Sequence, residues 1–88
     1  MAKRELIEAD AKLYCKQLSG HRYEVEQFVF ISEDINYTAK DIIDINDYDD
    51  DHIAYCCNEH GYPTNKDEKF LALAIFKEAC QNGEYSPY

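Results

Sequence analysis

The chain has 88 residues, with 18 Asp and Glu against 9 Lys and Arg and a formal charge of −9, a balance that excludes attraction of the whole molecule to duplex nucleic acid or to anionic lipid. With 45% hydrophobic residues, eight Tyr and four Phe, it is too apolar for a disordered acidic tail and is expected to form a single domain over residues 1–88, burying roughly 60% of its unfolded surface. The longest apolar run, residues 70–76, is seven residues, too short to cross a bilayer. The start shows no apolar signal region, so a cytoplasmic protein with free thiols at Cys15, Cys56, Cys57 and Cys80 is expected.

In residues 3–18 the apolar positions Leu6, Ile7, Ala11, Leu13, Tyr14 and Leu18 fall at helical spacing, and Gly20 stands where a left-handed residue would end the helix. Cys15 and Cys80 would then be small buried hydrophobes on the first and last helices. Residues 22–32 are ambiguous, since Tyr23 and Val25 alternate with Arg22, Glu24 and Glu26 while residues 28–31 suit a buried element of either kind. Helix is narrowly favoured. A strand there would need a partner, and residues 52–57 offer the alternation of Ile53, Tyr55 and Cys57 with His52, Ala54 and Cys56.

Thr38 to Asp41 resembles a capping box that starts a short helix through Ile42, Ile43 and Ile45. A further helix is expected to be capped by Asp47, to carry Asp49, Asp50 and Asp51 in its first turns, and to run from there to His60 and stop at Gly61. Tyr62 to Asn65 form the next turn, because Pro63 disfavours α conformation before it. Thr64 or Asn65 would cap the last helix, with Asp67 and Glu68 in its first turn and Gly83 closing it. Phe70, Leu71, Leu73, Ile75, Phe76, Ala79 and Cys80 nearly encircle that helix, which places it centrally. The expected fold is therefore mainly α, a bundle of four to five short helices; the alternative is α+β with a two-stranded ribbon from 22–32 and 52–57. The last four residues, 85–88, are expected to fray.

Charge is unevenly spread. Residues 33–51 hold Glu33, Asp34, Asp41, Asp44, Asp47, Asp49, Asp50 and Asp51 against Lys40 alone, and the rest of the chain is near neutral. Such crowding opposes folding unless a cation, a basic partner or solvent compensates it. If the two short helices ran end to end, Asp41, Asp44, Asp47 and Asp50 or Asp51 would line one face at i, i+3 spacing. Tyr37, Tyr48, Tyr55 and Tyr62 interleave with or flank them, and tyrosine adds rigid contact area. The expected partner-binding residues are Asp41, Asp44, Asp47, Asp49, Asp50, Asp51, Tyr37, Tyr48 and Tyr55. A solvated charge run is the bland counterpart.

Four other readings compete with this one. Asp47, Asp49 and Asp51 open like a calcium loop, but His52 stands where Gly should allow the turn and Asn58 where a bidentate Glu should close the shell. His52, Cys56 and His60 are spaced i, i+4, i+8, with Cys57 three before His60, so a metal site with a fourth ligand from Cys15, Cys80 or His21 is the alternative. A cysteine nucleophile is disfavoured by the neighbouring Asp49, Asp50, Asp51 and Glu59, and the glycines form no phosphate-binding loop. A DNA-binding helix-turn-helix over 38–60 would repel phosphate.

The sequence thus points to a non-enzymatic acidic inhibitor without cofactor. It would bind the basic, nucleic-acid-binding surface of another protein such as a host nuclease, polymerase or CRISPR or restriction component, without direct contact to nucleic acid or membrane. By general character such inhibitors suit phages and mobile elements. The alternative is a small metal-binding structural or regulatory interaction protein using His52, Cys56, Cys57 and His60. Slight positive charge on residues 3–16 would orient an approaching partner.

Overall fold

The computed structural model describes residues 4–9, 12–30, 36–64 and 67–84. Four strands, β1 (Glu5–Glu8), β2 (Leu13–Ser19), β3 (Arg22–Phe30) and β4 (Asn36–Asp44), form one antiparallel sheet in chain order, and two helices follow, α1 (Asp50–His60) and α2 (Glu68–Gln81). A single 3-10 turn, Ile45–Asp47, links sheet to helices. The fold is α+β, which corrects the expected mainly helical bundle and its helical character.

The first expected helix is a β-hairpin. The Lys12 amide donates to the Ala9 carbonyl, and Lys12 takes φ 49°. Beyond it Leu13 and Cys15 are buried while Tyr14 and Lys16 are only partly so. Six apolar residues over sixteen positions had satisfied a helical period by coincidence, because two short strands separated by a turn can mimic it. Gly20 ends a strand rather than a helix, using φ 47° in the turn between β2 and β3. The capping-box expectation at Thr38 also fails. Tyr37, Thr38, Ile42 and Ile43 favour the pleated backbone of β4, where aromatic and β-branched side chains pack well.

Residues 22–30 are a strand, as the alternative allowed, but they pair with β2 and β4, and residues 52–57 lie within α1. Among the two helices the expectations hold with shifted ends. Asp49, not Asp47, caps α1 by accepting from the His52 amide, and Gly61 closes it at φ 72°. Asp67, not Thr64 or Asn65, caps α2; Asn65 lies outside the described residues, as do Lys3, Ala11, residues 31–35 with Glu33 and Asp34, and the tail 85–88.

Strand alternation sorts the sheet into two faces. The helix side carries Leu13 and Cys15 of β2, Tyr23 and Val25 of β3, and Ala39 and Ile43 of β4, all buried against Ile53, Cys56 and Cys57 of α1 and Leu73, Ile75 and Phe76 of α2. The expected centrality of the last helix is right: residues 72–76 are all buried. Ion pairs fasten α2 along its length, from Lys69 to Glu5 (2.8 Å) and from Lys77 to Glu8 (3.1 Å). No described helix lies over the opposite sheet face. No described helix is long and apolar enough to cross a membrane.

Candidate functional site

The turn from β4 into α1 gathers most of the acidic residues singled out above. Asp44 caps the 3-10 turn by accepting from the Asn46 amide at 3.0 Å, and Asp49 caps α1 by accepting from the His52 amide at 2.7 Å. Asp47, Asp49, Asp50 and Asp51 are exposed. The positive end of α1 partly offsets Asp50 and Asp51 in its first turn. Among the described residues no Lys or Arg forms an ion pair with Asp44, Asp47, Asp49, Asp50 or Asp51. Lys40, the one base of this stretch, instead approaches Glu24 on the uncovered sheet face, at 3.7 Å.

Because β4 is a strand, Asp41 and Asp44 lie on opposite faces of it, and the expected helical row from Asp41 to Asp50 does not form. Asp41 turns to the helix side, across from Val25, and takes a hydrogen bond from the Ile42 amide. Tyr37 lies at the far end of β4 and packs against the core, away from the acidic turn. Tyr48 is half-buried, its ring stacked on His52 with centroids 5.5 Å apart. Burial pushes its phenol pKa up, and the nearby Asp41 and Asp47 push it further. Tyr55 stands exposed on α1, and its phenol is raised by Glu59 and then Glu78.

Asp41, Tyr48 and His52 form one side of a groove of about 220 Å³ whose other side is Ile75, Glu78, Ala79, Asn82 and Glu84 from the end of α2. Sequence inspection missed the α2 side. Glu78 follows Lys77 inside an otherwise apolar helix, and that break in the apolar run is the one signal that could have marked it. Glu78 is 6% exposed. Its Oε1 lies 3.9 Å from His60 Nε2, beyond hydrogen-bond reach, and its Oε2 and the His60 Nε2 have no hydrogen-bond partner among the described residues.

The expected metal ligands sit near this groove but do not converge. His52 Nε2 is 3.6 Å from Cys56 Sγ, while Cys57 is wholly buried in the core. Among the described residues no three His, Cys, Asp or Glu side chains are placed to hold a metal ion together. Burial raises the thiol pKa of Cys56, with Glu78 and Cys57 adding to it, and burial raises that of Cys57, so the thiolate needed for nucleophilic or metal chemistry is disfavoured at both. All four cysteines are free; Cys15 is buried on β2 rather than on a helix, and Cys80 is half-buried on α2.

No protein-family model matches the chain, and neither the curated proteins nor the solved structures give a match.

Proposed function

We propose that the protein acts by binding, with the exposed turn of Asp47, Asp49, Asp50 and Asp51 and the neighbouring Tyr48 and Tyr55 pressed against a basic surface of another protein, where it blocks access of nucleic acid. The supporting observation is the concentration of carboxylates that the described part of the molecule leaves without a Lys or Arg of its own. Holding four like charges within five residues costs free energy in the isolated protein, and a cationic partner recovers it on binding. Tyr55, 54% exposed, supplies a ring beside the charges that can be buried at small entropic cost.

The test reverses Asp47, Asp50 and Asp51 to Lys, three exposed positions that cap neither helix. The immobilised wild-type protein should retain basic nucleic-acid-binding proteins from bacterial lysate at low salt and release them as salt rises. The triple variant should keep the wild-type circular dichroism spectrum and a cooperative melt, yet retain none of them. Undiminished capture by the folded variant would remove this surface as the interface.

A further inference from the structure

We infer that the sheet face turned away from the helices binds a single strand of nucleic acid, with bases laid against Tyr14 and Phe28 and phosphates met by Lys12 and Lys16. This surface is separate from the acidic turn and does not depend on the role proposed for it. Tyr14 belongs to β2 and Phe28 to β3, the two inner strands of the sheet. Tyr14 stands opposite Glu26 in the register, which makes the two rings diagonal neighbours on one face, roughly 7 to 8 Å apart. Each ring has a cation beside it. The Arg4 guanidinium carbon lies 4.0 Å from the centre of the Tyr14 ring, and Lys12 Nζ lies 5.3 Å from the centre of the Phe28 ring. With Thr38 and Glu26 these four residues line a pocket of about 130 Å³.

Charge complementarity names the occupant. Although the chain carries −9 in all, five of the seven Lys and Arg among the described residues belong to this face: Arg4, Lys12, Lys16, Arg22 and Lys40. The other two, Lys69 and Lys77, are held by Glu5 and Glu8. On the sheet face Glu26 pairs with Arg4 and Glu24 with Lys40, while Lys12 and Lys16 have no ion-pair partner among the described residues. Two cations are thus left to meet an anion beside the rings. Bases splayed from a single strand stack on aromatic rings and on guanidinium planes alike, and the Thr38 hydroxyl, opposite Phe28 in the register, can bond a base edge. An acidic peptide would engage the lysines and leave the rings idle. A duplex keeps its base faces stacked and offers chiefly phosphate, which a molecule of this net charge repels.

The probes are fluorescein-labelled octamers of uridylate and of thymidylate, titrated with the full chain at low salt and followed by anisotropy, with a DNA duplex of equal length and an octaglutamate peptide as controls. Saturable binding of a single strand is expected, and the RNA and DNA arms tell which sugar the face accepts. Neither control should bind. Changing Lys12→Gln and Lys16→Gln together should weaken the strand about tenfold by removing two phosphate contacts. Phe28→Leu, which keeps an apolar side chain but no ring, should weaken it about fivefold or more through the lost stacking. Should that variant fail to fold, the lysine pair, at the surface, still decides. The folded variant with Asp47, Asp50 and Asp51 changed to Lys should bind the strand at least as tightly as the wild type. Failure of both strands to bind, equal affinity for octaglutamate or duplex, or affinity unchanged by the sheet-face variants would overturn the assignment, with the lysate test of the acidic turn unaffected.

Discussion

Asp49 and Gly61 bound α1 by opposite means, one offering an oxygen to an orphan amide and the other adopting a backbone conformation that side chains resist. Asp49→Ala should destabilise the protein by about 1 kcal/mol, whereas Asp49→Asn, an equally good cap, should hold the urea midpoint while removing one charge from the binding surface. Comparing the two separates stability from recognition at a single position. At alkaline pH three buried or half-buried acids act together. Burial pushes the Cys15 and Cys80 thiols up to about 11 from 9.0, helped by Glu5 and Glu84 respectively. Burial and then Glu68 push the Tyr23 phenol up to about 12 from 10.0. Each group keeps its proton more tightly folded than unfolded, so its contribution is complete below the unfolded pKa and disappears as pH climbs through the folded one. The melting temperature should therefore fall progressively between about pH 9 and 12 from these groups, and Cys15→Ala should flatten the first part of that fall. Iodoacetamide should modify Cys15 and Cys80 slowly at pH 8 in the native protein and rapidly in urea.

Among the elements, α2 has the greatest structural weight because it covers β2, β3 and β4 at once, with Phe76 wholly buried at its centre. Phe76→Ala should cost about 3 to 5 kcal/mol, a large part of the roughly 5 to 15 kcal/mol that holds a domain of this kind together, and a calorimetric melt would show it. This helix was legible in the sequence, as was α1 with its glycine stop, since long amphipathic or apolar stretches with caps leave few options. The sheet was not. Strands β1 and β2 are four and seven residues long, too short for a period of two to outweigh a chance helical spacing, and β4 carries Lys40 and Ile42 on its uncovered face, which blurs the apolar alternation. The acidic turn was legible as charge, but its geometry was not, because Asp41 faces the helices only by virtue of a strand that the local pattern concealed. Glu78 and Glu84 could be joined to Asp41 only by tertiary contact, which no spacing along the chain encodes.

At the scale of the whole molecule, charge is divided between two sides. The uncovered sheet face carries Lys12, Lys16, Arg22 and Lys40 with Arg4, whose guanidinium lies 4.0 Å from the Tyr14 ring, against Glu24, Glu26 and Asp44. The helix side carries the groove and the acidic turn. Such an asymmetry orients an approaching basic partner, and it gives salt two opposite effects. Added salt should raise the melting temperature of the free protein by screening repulsion around Asp47 to Asp51, while weakening its complex, a pair of trends that thermal melts and binding titrations can follow in parallel. The meander order of the sheet has its own bearing on how the molecule comes into being. Every strand finds its neighbour in the segment just before or after it, so no pairing waits for a distant part of the chain, and the entropy lost in closing each hairpin is small. Assembly can proceed hairpin by hairpin as the polypeptide emerges, leaving the docking of α1 and α2 to seal the interior.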